Sequence, residues 1–114
     1  MFSAKREYKV FIEDIISAMD KIEKYTSGIK FEGFENNSMI IDAVIRNFEI
    51  IGEAANNIPE EIKSKHPKVE WKECVGFRNF LIHGYFTVSL ETVWDTIQKN
   101  LPQLKKHIKE IQTL

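Results

Sequence analysis

The chain has a single cysteine, Cys74, so no internal disulfide can form. It has no uninterrupted apolar run near the roughly 20 residues that cross a bilayer. Its first residues, MFSAKREYKV, contain no apolar signal region. A cytoplasmic location without membrane attachment is therefore expected. An excess of one charge is missing too: 16 Lys and Arg stand against 17 Asp and Glu, for a net charge of -1 and a pI of about 6.3. A general polyanion-binding surface is thereby excluded, and any contact with nucleic acid has to be local, made by a few placed cations. No segment alternates apolar and polar residues as a half-buried strand would, and no repeat, linker or low-complexity stretch is present. No Glu is followed three residues later by a His, which removes the di-iron ligand pattern of helical bundles. The glycines form no phosphate-cradling loop, and one Cys with three scattered His makes no zinc motif. Neither a metal nor a cofactor is expected.

What is present is helical periodicity. With 114 residues, 43% hydrophobic and 29% charged, the chain has the make-up of one soluble domain, residues 1–114, with its own core. Tyr8, Phe11, Ile12, Ile15, Met19 and Ile22 recur at spacings of three and four and predict a helix over 5–25, followed by Gly28. Residues 29–37 read as a connector whose Phe31 and Phe34 fold back onto the bundle. Asn36, Asn37 or Ser38 can cap a second helix over 38–57, with Ile41, Val44, Phe48, Ile51, Ala55 and Ile58 as its seam. Pro59 suits the first turn of a short helix over 59–65. Ser89 can cap the last element, where Val93, Ile97, Leu101, Leu104, Ile108 and Ile111 stay in phase across Pro102. Pro102 should kink or restart that helix without ending its packing face. The fold class is all-α, an antiparallel bundle of four to five helices.

The stretch WKECVGFRNFLIHGYF, Trp71 to Phe86, organises the rest. As a helix it aligns Trp71, Cys74, Val75, Leu81 and Ile82 on one apolar face, with Arg78 in the middle. A guanidinium there must find an anion or open onto a cleft, because an unpaired buried charge is prohibitively costly. His83 follows five residues later, about 140° around a helix, so it is no i+4 neighbour of Arg78. The two converge only if the helix stops, and Gly84 can supply that stop by taking the left-handed conformation. Arg78, His83 and Tyr85 would then surround one helix end. On the second helix Asp42, Arg46, Glu49 and Glu53 share a side. They form either a solvated face with helical ion pairs or, for Arg46 and Glu53, a cleft wall that offers a carboxylate to Arg78. Asn79 is a further cleft candidate. Cys74 reads as a small buried hydrophobe. The lysines between Lys63 and Lys72 are interleaved with Glu and read as charged surface.

Arg78 and His83 separated by four residues, with Tyr85 two further on, resemble the signature of HEPN domains in the HepT-like branch of prokaryotic toxins partnered by MntA-type nucleotidyltransferases. RNFEIIGEAA (Arg46 to Ala55), HPKVEW (His66 to Trp71), VWDTI (Val93 to Ile97) and LPQL (Leu101 to Leu104) are also similar to that family, in the same order. The resemblance implies a HEPN-like bundle that dimerises so that two motifs face one cleft. It implies an RNA substrate, an MntA-like nucleotidyltransferase as antitoxin, and Tyr85 as the place where that partner attaches AMP. A Tyr after a helix can equally pack over the helix end with its hydroxyl in water.

The residues permit a metal-free ribonuclease. RNA carries its own nucleophile, the 2′-hydroxyl, so the protein need only move protons and stabilise charge at phosphorus. His83 suits the first task and Arg78 the second, gripping two oxygens at once. The competing reading is a binding module: a non-catalytic nucleotide- or substrate-binding partner subunit of a nucleotidyltransferase, whose cleft holds a nucleotide without cutting RNA.

Overall fold

The computed structural model describes residues 4–84 and 89–113, with side chains from residue 8 onward. Every regular element among them is helical. The predicted first helix is α1, Ala4–Thr26, which buries Tyr8, Ile12, Ile15, Met19 and Ile22 along one stripe. It closes with the Thr26 hydroxyl donating to the Ile22 carbonyl at 2.8 Å. Gly28, at φ +76°, then takes the left-handed step that turns the chain.

The stretch read as a connector contains one short helix, α2, Phe31–Glu35. Its two rings do fold back: Phe34 is fully buried, and both Phe31 and Phe34 lie against Trp94, with centroids 6.2 and 5.3 Å away. Of the three candidate caps the structure uses Asn37, whose side chain accepts from the Ile40 amide at 3.1 Å and starts α3, Ser38–Asn57. The short helix α4 spans Glu60–Lys65. It starts one residue later than expected because Pro59, at ψ 145°, is extended and stands before the first turn. The central stretch forms α5, Trp71–Gly84, entered through a hydrogen bond from the Trp71 indole to the His66 carbonyl at 3.1 Å. The sequence between this helix and the last predicts a turn over 84–88, and residues 85–88 of it lie outside the described residues.

The last element is one continuous run in three parts: α6, Leu90–Asp95, a π-helical turn, Thr96–Asn100, and α7, Leu101–Gln112. Ser89 caps it as expected, accepting from the Glu91 amide at 3.1 Å. Pro102 stands in the first turn of α7, where the α-helix restarts after the π-turn, and the packing face carries on across it, as expected. A proline has no N–H, and its ring clashes with the carbonyl four residues back. The turn before it widens instead, so that the Leu101 amide donates to Thr96, five residues away. Val93, Ile97, Leu101, Ile108 and Ile111 are all buried.

α3 is the centre of the bundle. It packs against α1 on one side and α5 on the other, α1 in turn meets α7, and α2 bridges α3 and α6. Between α5 and α7 a groove of about 220 Å³ remains, floored by Phe48, Ile51 and Leu101 and walled by Cys74, Phe77 and Leu104. No helix among the described residues is long and apolar enough to cross a membrane.

One ion-pair cluster ties the first helix to the last. Lys105 Nζ lies 2.9 Å from Asp20 and is also bonded to Glu23. Those two hydrogen bonds raise its pKa above the ordinary 10.5. With its folded value raised, Lys105 contributes its full stabilisation below the ordinary lysine value and loses it as the pH rises through the folded one. The stabilisation from this group is therefore constant near neutrality and falls only at the alkaline end. Lys105→Gln is expected to cost less than about 1 kcal/mol at neutral pH. The loss should shrink in added salt, as urea unfolding at low and high ionic strength will check.

Candidate active site

The site is set by a close approach between α3 and α5. Gly52 sits in the middle of α3 where α5 crosses it. A Cβ built on Gly52 would fall 2.1 Å from Arg78 Cβ, 2.8 Å from Arg78 Cγ and 2.8 Å from the Cys74 carbonyl oxygen. Glycine in a helix interior costs roughly 1 kcal/mol relative to alanine. Here it makes room for the stem of an arginine to lie across the helix it packs on. Arg78 is thus partly buried, in agreement with its place among apolar positions, but the apolar face is narrower than the periodicity suggested. Trp71 and Leu81 are buried and Cys74 and Val75 partly so, whereas Ile82, at the edge of the contact, is 44% exposed.

Arg78 does not take its anion from α3. Glu53 turns outward and pairs with Arg46, 3.4 Å away, while Arg46 also reaches Glu49 at 3.3 Å. Residues 46, 49 and 53 form a stripe of their own, and the offer of a carboxylate to Arg78 expected from Glu53 is not made. The reason is angular: residue 53 follows Gly52 by about 100° of helix and so leaves the contact line. Arg46 does lie beside the end of α5, in a shallow depression it shares with Asp42, Glu49, Leu81 and Ile82.

The guanidinium instead donates from Nη1 to Asn79 Oδ1 at 2.9 Å. Its Nε is buried and has no acceptor among the described residues. Asn79 therefore holds the cationic group on its own side of α5. His83 is four residues on from Asn79, and such pairs are neighbours on a helix surface. The helix does not stop short of Gly84, as the expected convergence required; α5 includes Gly84 as its last residue. Arg78 and His83 accordingly leave the helix about 140° apart, and Asn79 is what turns the guanidinium toward the His83 side. His83 is exposed and stands in the last turn of α5. Tyr85 lies outside the described residues.

Cys74 is a packing residue. Burial in the groove wall, with Glu73 and Glu70 adding to it, pushes its thiol up to about 12. The nucleophilic thiolate is scarce at any ordinary pH. Among the described residues no three His, Cys, Asp or Glu side chains gather as metal ligands.

A family model described as Ribonuclease HepT-like matches residues 15–111. A protein of Methanocaldococcus jannaschii whose name proposes an RNase is 45% identical over 107 residues, covering 94% of this chain and 92% of its own. Another whose name proposes an RNase, from Caldanaerobacter subterraneus, is 43% identical over 101 residues, covering 89% and 90%. A Thermococcus cleftensis protein named Probable ribonuclease HepT is 41% identical over 108 residues, covering 95% and 98%. No solved structure matches the chain.

Two outcomes follow from this geometry. Gly52→Ala forces a methyl into the Arg78 stem and should destabilise the fold by about 3 kcal/mol, seen as a lower urea midpoint. Gly33→Ala, whose Cβ would meet its nearest neighbour at an ordinary 3.6 Å, should not. Iodoacetamide at pH 8 should label Cys74 slowly in the native protein and rapidly in urea, since burial suppresses the thiolate only while the fold is intact.

Proposed function

The chain belongs to the HepT-like ribonuclease family, and from that we propose that it is a metal-independent endoribonuclease acting as the toxin of a toxin-antitoxin pair. The observation that carries the mechanism is the Arg78 guanidinium held by Asn79 on the side of α5 where His83 stands. In the proposed reaction the RNA 2′-hydroxyl attacks the adjacent phosphorus. His83 accepts the hydroxyl proton, Arg78 neutralises the charge growing on the non-bridging oxygens, and the 5′-oxygen leaves with a proton, so that the upstream fragment ends in a 2′,3′-cyclic phosphate. The unsatisfied Nε of Arg78 supports this role, because a buried donor without an acceptor is costly and a phosphate oxygen can supply one after a small side-chain movement.

One imidazole cannot be base and acid for the same bond at the same moment. A homodimer with two such helices facing one cleft supplies the second, and we include it in the proposal. The remaining parts rest on the resemblance of the sequence around Tyr85. An MntA-like nucleotidyltransferase is the proposed antitoxin, and it attaches AMP to Tyr85. A bulky anionic group so close in sequence to Arg78 would compete for the phosphate site and silence the enzyme.

Purified protein is expected to cut total RNA in excess EDTA and to leave cyclic phosphate ends. His83→Ala should lower the rate about 10²- to 10⁴-fold. Arg78→Ala should lose at least as much as a single oxyanion donor supplies, about 10²-fold. Both variants should keep the helical circular dichroism of the wild type. Absence of cutting by the wild type, or equal cutting by all three, removes the ribonuclease reading and leaves a nucleotide-binding subunit as the better account.

A further inference from the structure

Phe80 is the one exposed aromatic among the described side chains, at 50%, while the neighbouring Phe77 ring is tucked against Phe48 with centroids 5.1 Å apart. It lies on the face of α5 turned away from α3. Lys72, Gly76, Asn79, Phe80 and His83 are all exposed, and at 100° per residue they share an arc of about 100°. Gly76 stands one turn before Phe80. Glycine is a poor choice for an exposed helix interior, and no crowding inside the molecule explains it, since an added Cβ would meet nothing within 4 Å. The space it leaves open is outside the protein, beside an exposed ring and in line with His83.

We propose that Phe80, with the gap left by Gly76, is the seat for one base of a single-stranded RNA, stacked on the ring next to the phosphate that His83 and Arg78 address. The inference rests on the ribonuclease reading and narrows its substrate class. A chain of net charge -1 gains little from counterion release, which supplies most non-specific affinity for nucleic acid in basic proteins. Stacking on an aromatic ring gives affinity without a basic surface. It also requires an unpaired base, because a duplex hides the base faces. An apolar contact with a second copy fits the site less well. Among the described residues the exposed neighbours of Phe80 on α5 are Gly76, Asn79 and His83, and the nearby Phe77 ring is taken up by Phe48, whereas the core of a protein interface is a continuous apolar patch.

The test measures the dissociation constant of fluorescein-labelled oligoadenylate, single-stranded and annealed to oligouridylate, for wild type, Phe80→Leu, Phe80→Trp and Gly76→Ala. Melting temperature and sedimentation are recorded for each. Phe80→Leu is expected to bind the single strand about 5- to 160-fold more weakly, the range of one lost stacking contact. Phe80→Trp should bind as the wild type does. Gly76→Ala should melt at a higher temperature and yet bind more weakly. The duplex should bind poorly to all four proteins. Equal affinity of Phe80→Leu and wild type, or of single strand and duplex, overturns the proposal. So does a Phe80→Leu defect that accompanies loss of a dimer in sedimentation, which would assign the ring to a contact between copies. Cleavage of total RNA by the wild type reports separately on the ribonuclease reading. Cutting with undiminished binding by Phe80→Leu keeps the enzyme and removes the seat, and lost binding in Phe80→Leu with no cutting by the wild type does the reverse.

Discussion

Contact between the backbone of α3 at Gly52 and the stem of Arg78 decides how α5 can present its side chains. With no side chain at residue 52 the two helices meet closely enough for an arginine to lie between them, and the rotation of α5 about its axis is then fixed. One side goes to Phe48 and the groove, the opposite side to solvent. Asn79 and His83 fall on the solvent side together because they are a turn apart, and Asn79 keeps the guanidinium from turning back. A helix of mixed character, apolar on the side that packs and polar on the side that meets solvent, is held in one orientation by a missing methyl group.

Arg46, beside the end of α5, and Arg78, on it, illustrate how a nearly neutral chain can still offer a cation. Arg46 is shared between Glu49 and Glu53 on an exposed stripe, so its charge is spent locally. Arg78 has an amide as its partner and forms no ion pair among the described residues. An amide oxygen orients a guanidinium without neutralising it. The two arginines thus differ in partner: two carboxylates for Arg46 and an amide for Arg78.

Much of this was legible beforehand. The long helices follow from apolar residues at spacings of three and four, and their starts from Asn37 and Ser89, whose short polar side chains satisfy amides that a helix leaves free. Arg78 announced itself as a charge among apolar neighbours, and the HepT-like resemblance was borne out by the family model and the relatives. The short helix at Phe31–Glu35 was missed because five residues carry too little periodicity to read. For Glu53 the sequence leaves two readings, an ion-paired solvated face or a carboxylate offered to Arg78, and the structure has the ion pair with Arg46, because a helix turns 100° with each residue and residue 53 leaves the line set by Gly52. Gly52 was the signal overlooked: an interior glycine in a helix that otherwise packs well marks close approach of another chain segment. The π-turn also left a trace, since Val93, Ile97 and Leu101 are spaced by four twice in succession. That pattern drifts about 80° in a regular helix and stays in line only if one turn is wider.

That wide turn makes chain length a structural quantity in the last helix. A π-turn holds one residue more than an α-turn, so losing any one residue between 96 and 100 would let the segment relax into ordinary helix. Everything beyond it would keep its phase, because the residue lost is the one the wide turn absorbs. Straightening the turn with every residue retained would instead rotate the rest of the helix by about 100°, carrying Ile108 and Ile111 out of the core and Lys105 away from Asp20 and Glu23.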